Sequence, residues 1–237
     1  MISIGILGSA GRMGTALIEA INNDIGTTYA GGIDTGGDAI ALARIADTLI
    51  DFSVPAALVA NLGAAVAAGK PIVIGTTGLN ADHHRAIDDA AHHVPVLQTG
   101  NTSLGITVLA RLVQEAAARL GPDWDIEILE MHHRHKVDAP SGTALLLGEA
   151  AARGRAVPVF QSPDGQPRTP GATGFASLRG GSVAGDHSVI LAGEGERIEL
   201  IHRAENRDIF ARGALHAALW LGDKPAGRYV MGDVLRV

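Results

Sequence analysis

The chain of 237 residues contains no cysteine. This absence excludes disulfide bonds, thiolate metal sites and any mechanism that uses a cysteine nucleophile. Aromatic residues are also scarce, at 3% of the chain, although 46% of the residues are hydrophobic. The core must therefore be built mostly from Ala, Val, Ile and Leu, a composition that favours a parallel β-sheet covered by helices.

The chain also lacks long apolar runs and an excess of positive charge. Because no apolar run reaches about 18 residues, no membrane span is predicted. The first residues form an apolar strand without a basic segment and cleavage site, so we expect a cytoplasmic protein. The net charge of −6 argues against a nucleic-acid-binding surface. The length is enough for one large or two modest domains.

A cluster of proton-transfer groups gives the strongest signal in the sequence. It follows residues 126–131, which alternate like a half-buried strand, and precedes residues 144–151, which have the pattern of a helix. Imidazole and ammonium groups can donate protons near neutral pH, and a helix N-terminus can hold an anion. The cluster therefore predicts a site that protonates an acidic substrate. Its members are His132, His133, Arg134, His135 and Lys136, followed by the helix start at Ser141, Gly142 and Thr143.

Two other interpretations of this cluster stay open at this point. The first is a solvated polar loop. The second is a metal site formed by the three histidines. Adjacent side chains on a strand point to opposite faces, so His132 and His133 are poorly placed to share an ion. We predict no metal.

A glycine-rich turn lies between a strand at residues 2–7 and a helix-like segment at 15–21. Gly8 would permit the tight turn, Gly11 the approach of a pyrophosphate, and Gly14 the packing of the helix on the strand. The spacing is GxxGxxG rather than the commoner GxGxxG, and such a pattern is weak when it stands alone. Together with the strand and the helix it predicts a dinucleotide-binding turn.

Asp34 closes the next apolar run at the interval expected for a ribose-binding acid. A carboxylate accepts hydrogen bonds from a ribose 2′-OH and repels a 2′-phosphate, and the next residue, Thr35, supplies no compensating cation. NADH should therefore be preferred. Arg12 in the glycine turn could offer a cation, so NADPH stays open as a cofactor. The alternative is that Asp34 is an ordinary turn residue.

Further strands and helices alternate along the first half of the chain. Residues 48–53 and 71–74 read as strands and residues 56–68 as a helix, which predicts a parallel, doubly wound sheet. Ligands lie beyond the carboxyl ends of such strands, so we expect residues 51–53 and 75–78 to line a nicotinamide pocket. The alternative is that these residues only form turns.

The pattern changes after residue 103, where a long helix (106–120) precedes the polar cluster and the alternating runs at 188–191 and 197–201. We predict an α/β protein with a Rossmann-type parallel-sheet domain and a second, α+β domain for substrate binding and oligomerisation. The first domain comprises 1–103 and 213–237, and the second 104–212. Within the second, 162–175 is too polar for the core, so it is either mobile or an inter-subunit arm. A final helix (210–221) and strand (229–235) are predicted to return to the first sheet.

Four segments, in order along nearly the whole chain, resemble the 4-hydroxy-tetrahydrodipicolinate reductase family: residues 8–14, 50–53, 75–78 and 130–144. The last segment is close to diagnostic, whereas many dehydrogenases share the glycine turn. The resemblance implies that NADH or NADPH reduces the cyclic dicarboxylate made by dihydrodipicolinate synthase, with loss of water, in lysine and diaminopimelate biosynthesis. It also implies a homotetramer built through the second domain.

The resemblance further implies roles for individual residues. His132 would be the proton donor and acceptor and Lys136 a second proton donor, while substrate would bind His133, Ser141, Gly142 and Thr143. Arg207 and Phe210 would close the cofactor pocket from the second domain. The other cofactor-binding residues would be Gly8, Ser9, Ala10, Gly11, Arg12, Met13, Asp34, Phe52, Gly75, Thr76, Thr77, Thr99, Gly100, Asn101 and Thr102.

Two departures from the family pattern affect the cofactor domain. Thr102 stands where the family commonly has Phe, so an aromatic contact near the nicotinamide is lost. The segment between Asp34 and Asp47 is short, which suggests that a strand–helix excursion is missing and leaves the choice between NAD and NADP open.

Three other functions are alternatives to this one. Another nicotinamide reductase, such as a sugar or homoserine dehydrogenase, would not need the cluster at 132–136. A non-catalytic NAD sensor would not require both His132 and Lys136. A hydrolase or metal-dependent lyase that uses the histidines would be revealed by metal analysis.

Overall fold

The computed structural model describes residues 1–158 and 167–237. The chain forms two compact units, of which the first comprises Met1–Leu104 and Arg207–Val237 and the second comprises Gly105–Asn206. The chain thus returns to the first unit at Arg207. The sequence analysis predicts this return at residue 213. That boundary is corrected to Arg207, because residue 213 falls inside a helix, Asp208–Leu221, that lies wholly in the first unit.

The elements alternate through the first half of the chain as the sequence predicts. The strands are β1 (Ile2–Leu7), β2 (Thr27–Ile33), β3 (Thr48–Asp51), β4 (Ile72–Ile74), β5 (Pro95–Gln98), β6 (Asp125–His132), β7 (Thr173–Arg179), β8 (Gly185–Gly193), β9 (Glu196–Ala204) and β10 (Gly227–Tyr229). The helices are α1 (Arg12–Asn22), α2 (Ala39–Ile45), α3 (Leu58–Ala68), α4 (Ala81–Ala91), α5 (Leu104–Leu120), α6 (Gly142–Arg155), α7 (Asp208–Leu221) and α8 (Met231–Leu235). Within the described residues, none of these helices combines the length and the apolar character needed to cross a bilayer.

The first unit is a six-stranded sheet in the order β10-β5-β4-β3-β1-β2, and every strand pair in it is parallel. Parallel strands need crossover connections, so helices cover both faces of the sheet. On one face, strand residues such as Leu49 pack against α2, α3 and α4. On the other face, Ile6 and Val73 pack against α1, α7 and α8. The predicted Rossmann-type domain is confirmed.

The short connection after Asp34 retains a helix but adds no strand beyond β2 within the described chain. Helix α2 fills the connection, and Asp38 caps it by accepting hydrogen bonds from the backbone N–H groups of Ile40 and Ala41 at 3.0 and 2.9 Å. Strand β2 is the sheet edge, whereas the doubly wound order has a further strand at this position. Of the strand–helix excursion that the sequence analysis expects to be missing, only the strand is absent among the described residues, since helix α2 is retained.

The predicted strand at residues 229–235 is wrong. Strand β10 ends at Tyr229 and pairs with β5, and the following residues form helix α8. Met231 and Val234 are both buried in the core. They are three residues apart, so they lie on one face of a helical turn, and Asp233 caps that turn by accepting a hydrogen bond from Val230 N at 2.9 Å.

The second unit is a four-stranded mixed sheet in the order β7-β6-β8-β9. Strand β6 pairs in parallel with β7 and antiparallel with β8. The buried residues of β6 alternate along the strand, as the sequence predicts, and pack with apolar residues of α5 and α6, among them Val113 and Leu147. The predicted α+β character of this part of the chain is confirmed.

The sequence analysis predicts that residues 162–175 form a loop outside the core, and the structure describes residues 167–175 of this segment. Residues 162–166 lie outside the described residues. The prediction is wrong for the end of the segment, because β7 begins at Thr173 and both Ala172 and Thr173 are buried. A side chain at Gly174 would collide with Glu127. This glycine serves close strand packing rather than a turn, and pairing with β6 overrides the weak local propensity.

Candidate functional site

The glycine turn joins β1 to α1 in the first unit. Gly8 has a left-handed backbone (φ +89°), and its N–H donates to the Ile33 carbonyl at 2.8 Å. A Cβ at Gly14 would lie 2.4 Å from the carbonyl oxygens of Gly8 and Ser9. Gly14 is therefore required because its Cα lies close to the backbone of the turn, and not because the helix packs on the strand as predicted.

Asp34 is tied to this turn. Its Oδ2 accepts hydrogen bonds from Ser9 Oγ and from Ala10 N, both at 2.9 Å. Its Oδ1 makes no hydrogen bond within the described part of the chain, so one carboxylate oxygen can accept a ligand hydroxyl. The carboxylate is thus anchored at the mouth of the glycine turn, as a ribose-binding acid would be.

A cleft of about 560 Å³ opens beside Asp34 and has the volume of a cofactor or ligand site. Six of the residues that line it are Gly8, Gly11, Asp34, Thr35, Phe52 and Ser53. The structure therefore places the glycine turn, the acid and the end of β3 around one cavity.

A buried carboxylate organises the loop after β3. Asp51 is fully buried, and its Oδ1 accepts hydrogen bonds from Ser53 N, Ser53 Oγ and Thr76 Oγ1 at 2.8, 2.6 and 2.9 Å. Its Oδ2 accepts from Asn61 Nδ2 at 2.9 Å. Thr76 thus directs its hydroxyl to Asp51, and Asn61, which the sequence analysis missed, completes the network.

The residues after β4 leave space for an aromatic ring. A Cβ at Gly75 would lie 2.3 Å from the ring of Phe52, so only glycine permits this packing. Gly75 therefore allows the Phe52 ring to occupy its position in the cleft. Thr77, two residues further along the chain, is exposed.

The loop after β5 contacts the start of α7 within the first unit. Thr99 Oγ1 donates to the Asn101 carbonyl at 2.8 Å, which closes a tight turn around the exposed Gly100. Thr102 is buried, and its hydroxyl donates to the Phe210 carbonyl at 2.8 Å. Arg207 and Phe210 belong to the first unit, which corrects the expectation that they act from the second domain.

The polar cluster of the second unit begins on β6, where Glu130 and His132 occupy buried positions of the alternating pattern. His132 Nδ1 lies 2.5 Å from Glu130 Oε2. Arg179 on β7 binds the same carboxylate with both terminal nitrogens, at 2.8 and 2.9 Å. Burial raises the pKa of Glu130, but hydrogen bonds from Arg179, Ser177 and His132 outweigh it and set this pKa at about 2. Glu130 is therefore an ionised carboxylate at neutral pH.

A second histidine lies against the first. The rings of His132 and His187 are 5.1 Å apart and meet edge to face. His187 Nε2 lies 3.0 Å from Ser141 Oγ, and Ser141 caps α6 by accepting a hydrogen bond from Ala144 N at 3.1 Å. Burial, together with the nearby His132, lowers the pKa of His187 to about 4. His187 is therefore neutral at neutral pH, and one hydrogen bond joins its Nε2 to the Ser141 hydroxyl.

The cationic side of the cluster lies in the loop after β6. Lys136 Nζ contacts both carboxylate oxygens of Asp138 at 2.8 Å, and this hydrogen bond lowers the pKa of Asp138. Arg179 Nη2 donates to the Asp138 carbonyl at 2.6 Å. The ring of His133 lies 6.3 Å from that of His135.

The predicted substrate-binding residues surround the start of α6. Ser141 is its cap, the exposed Gly142 is its first residue, and Thr143 follows in the first turn. A helix of this length carries a partial positive charge at its N-terminus, which favours a substrate carboxylate. In the described ranges, no group of three or more His, Asp or Glu side chains is arranged to hold a metal ion.

The sequence analysis missed two residues of this cluster, Arg179 and His187. Each stands alone in its segment, and only strand pairing brings them to β6. Glu130 lies in the predicted strand at residues 126–131, but the sequence analysis gives it no role in the site. An acidic residue at a buried position of an alternating strand is a signal that could have identified it.

Comparison with known proteins decides the family. The family described as "Dihydrodipicolinate reductase, N-terminus" matches residues 2–102, and "Dihydrodipicolinate reductase, C-terminus" matches residues 105–235. The 4-hydroxy-tetrahydrodipicolinate reductase of Zymomonas mobilis subsp. mobilis is 57% identical, over 99% of this chain and 97% of that relative. The protein of the same name from Brucella abortus is 50% identical over 97% of both chains. The chain belongs to the dihydrodipicolinate reductase family.

Solved structures show the same fold. A dipicolinate-bound dihydrodipicolinate reductase from Paenisporosarcina sp. TG-14 has a TM-score of 0.78 at 20% identity, over 97% of both chains. An apo scyllo-inositol dehydrogenase from Lactobacillus casei has a TM-score of 0.62 at 12% identity, over 100% of this chain and 92% of the other. The architecture is thus shared beyond the dihydrodipicolinate reductase family. Membership of that family confirms the resemblance seen at residues 130–144 and favours a reductase over a sensor, a hydrolase or another dehydrogenase.

Proposed function

We propose that this chain is a 4-hydroxy-tetrahydrodipicolinate reductase that uses NADH or NADPH. The observation that carries the proposal is the buried pair of Glu130 and His132 at the end of β6, beside the start of α6. Relatives at 50% and 57% identity bear this name over nearly their full length, which supports the same reaction here.

The second unit would bind the substrate, a cyclic molecule with two carboxylates. Lys136 offers a positive charge, and the N-terminus of α6 offers backbone N–H groups at Gly142 and Thr143. His133 would add an imidazole contact. Ser141 would act by capping α6, because its hydroxyl is already engaged by Ala144 N and His187.

The chemistry that the protein supplies is proton transfer. Bound NADH or NADPH supplies the hydride. Hydride addition to an unsaturated imine leaves an enamine-like charge that an adjacent acid must neutralise, and such general acid catalysis contributes about 10²- to 10⁴-fold. His132 would donate this proton from Nε2, because Nδ1 is held by Glu130. Lys136 would be the second donor.

The first unit would bind the cofactor at the cleft beside Asp34. The free Oδ1 of Asp34 would accept a ribose hydroxyl, and its negative charge would disfavour a 2′-phosphate, so we expect NADH to be preferred. The proposed contacts are the turn residues Gly8, Ser9, Ala10, Gly11, Arg12 and Met13, then Phe52, Gly75, Thr76, Thr77, Thr99, Gly100, Asn101, Thr102, Arg207 and Phe210.

The test is oxidation of NADH, and separately of NADPH, in the presence of freshly made product of dihydrodipicolinate synthase. We expect substrate-dependent oxidation that is faster with NADH and that falls by about 10²-fold or more in His132→Ala and Lys136→Ala. Circular dichroism and NADH fluorescence would show that the variants fold and bind cofactor. No oxidation by folded wild-type protein that binds NADH would overturn the proposal.

Two further properties are part of this proposal. We expect a homotetramer formed through the second unit, whose sheet exposes apolar side chains at Leu178, Ile198 and Ile201. Light scattering after gel filtration tests this, and a monomer at micromolar concentration would contradict it. We also expect the protein in the cytoplasm, which fractionation of the source cells would test.

A further inference from the structure

We propose that the ion pair between the buried Glu130 and the half-buried Arg179 positions both proton donors of the active site. In this inference, which rests on the proposed function, Glu130 orients His132 and Arg179 holds the loop that carries Lys136. Neither residue would touch the reacting atoms, so both would be positioning residues.

The first step of the argument concerns the proton on His132. Glu130 is ionised, and an ionised carboxylate can only accept hydrogen bonds. His132 Nδ1, at 2.5 Å from Oε2, must therefore carry a hydrogen. Nε2 is then the nitrogen left for proton exchange with the substrate. The same arrangement of carboxylate and imidazole fixes the histidine tautomer in serine hydrolases.

The second step concerns the cost of burying Glu130. Its side chain is only 1% exposed, and an unpaired carboxylate in such a place would take up a proton. Arg179 prevents this by binding both carboxylate oxygens in a bidentate pair. Glu130 therefore stays charged throughout the pH range of the reaction and does not compete with His132 for the proton.

The third step concerns the loop after β6. The same guanidinium donates to the Asp138 carbonyl at 2.6 Å and to the Lys136 carbonyl at 3.3 Å. Arg179 thus joins β6, β7 and the loop in one hydrogen-bonded unit. Displacement of this guanidinium would release the backbone on both sides of Val137 and with it the Lys136 ammonium.

The charges around His132 come from several elements. Glu130 lies on its own strand, Arg179 on β7, His187 on β8 and Lys136 in the following loop, while His202 on β9 faces His187. His187 is neutral, so it adds no cation beside His132. Glu130 is the anion in contact with the imidazole, so its replacement by a neutral residue would remove the negative charge that orients the His132 ring.

The decisive variant is Glu130→Gln, which keeps the size of the side chain and removes its charge. We expect kcat to fall by about 10²- to 10⁴-fold. The KM for substrate should change by less than about threefold, because Glu130 does not contact the substrate. Glu130→Asp, which retains the charge, should restore part of the lost kcat.

Arg179→Lys tests the other half of the pair. A lysine cannot bind two carboxylate oxygens and two carbonyls at once. We expect a lower kcat and a higher KM, because the loop that carries Lys136 is released. The matched control is Glu127→Gln, which lies on the same strand, on its opposite face, and pairs with Arg168. This control should keep the wild-type kcat and KM.

The outcomes separate this inference from the proposed function. Wild-type activity in His132→Ala would contradict the role proposed for that histidine. An inactive His132→Ala beside a Glu130→Gln with the wild-type kcat would overturn only the positioning role. If Glu130→Gln fails to fold, nitrogen-15 NMR of histidine-labelled wild-type protein decides. We expect the neutral form of His132 to carry its hydrogen on Nδ1, and a hydrogen on Nε2 would overturn the inference.

Discussion

Asp34 carries the cofactor preference at the level of a single residue. Its Oδ2 accepts hydrogen bonds from Ser9 and Ala10, and asparagine can keep an acceptor oxygen there while it removes the negative charge. We expect Asp34→Asn to raise the ratio of kcat/KM for NADPH to that for NADH by about tenfold, which corresponds to about 1.4 kcal/mol. Steady-state kinetics with both cofactors measures this ratio.

The matched control for Asp34 is Asp82→Asn, an exposed aspartate on α4 that pairs only with Arg85 among the described residues. It should leave both cofactors unaffected. An equal loss of kcat/KM for NADH and NADPH in Asp34→Asn would show that Asp34 serves the shape of the turn and not the choice of cofactor.

Asn61 supports the cofactor cleft through Asp51. Asn61→Ala would leave Asp51 Oδ2 without its partner inside the protein. A buried acceptor that loses its partner destabilises a protein by about 1–3 kcal/mol, so we expect a loss of that size in urea unfolding. Asn22→Ala, at an exposed position of α1, should change the free energy of unfolding by less than about 0.5 kcal/mol. A loss below that threshold in Asn61→Ala would show that the network tolerates the gap.

The residues that sequence reasoning found and those that it missed differ in their surroundings. His132 and Lys136 could be proposed because unusual chemistry is concentrated in one run. Arg179 and His187 are single polar residues in ordinary strands, and their importance comes from strand pairing across the sheet. Asn61 lies on a largely apolar helix at a buried position, which is a signal that could have been used.

At the scale of elements, the glycines of two helices give opposite expectations. A Cβ at Gly14 would lie 2.4 Å from two carbonyl oxygens of the turn, whereas a Cβ at Gly63 in α3 would meet nothing within 4 Å. We expect Gly14→Ala to lower the melting temperature and to weaken NADH binding by at least about tenfold. Gly63→Ala should raise stability by up to about 1 kcal/mol, because alanine favours a helix more than glycine does. Thermal unfolding and NADH fluorescence titration measure both effects, and similar behaviour of the two variants would refute the close contact at Gly14.

Elements were predictable where apolar periodicity and turn residues agreed. Strand β1 was predicted with the bounds that the structure has, and α5 and β6 differ from prediction by one or two residues at an end. Helix α4 and strand β5 lie in residues 79–98, where the sequence analysis predicts no element. Their signals are weak because the helix is polar on its outer face and the strand is short. Strand β7 was missed because its identity depends on β6 rather than on its own composition.

At the scale of the whole molecule, two buried groups link folding to pH. Burial, with the nearby His132, lowers the pKa of His187 from 6.5 to about 4. Burial raises the pKa of Glu130, but its hydrogen bonds outweigh this effect and lower the pKa from 4.5 to about 2. Both pKa values are lower in the folded protein, so the unfolded chain binds more protons and both contributions to stability are lost as pH falls.

We therefore expect the free energy of unfolding to decrease between pH 6.5 and about 4 through His187, and between pH 4.5 and about 2 through Glu130. Each contribution is on the order of 3 kcal/mol. The two tryptophans allow a local measurement, since Trp124 lies in the second unit and Trp220 in the first. Urea unfolding of Trp220→Phe, followed by Trp124 fluorescence across this pH range, reports on the second unit.

Two further substitutions in the Trp220→Phe background assign the pH dependence to its sources. His187→Gln should flatten the decrease between pH 6.5 and 4, and Glu130→Gln should flatten the decrease at lower pH, because neither glutamine titrates. Glu149→Gln, an exposed residue of α6, should reproduce the parent curve. If His187→Gln keeps the full decrease above pH 4, then His187 is not the group whose protonation opposes folding. In that case His202, whose pKa burial also lowers, becomes the group to replace next.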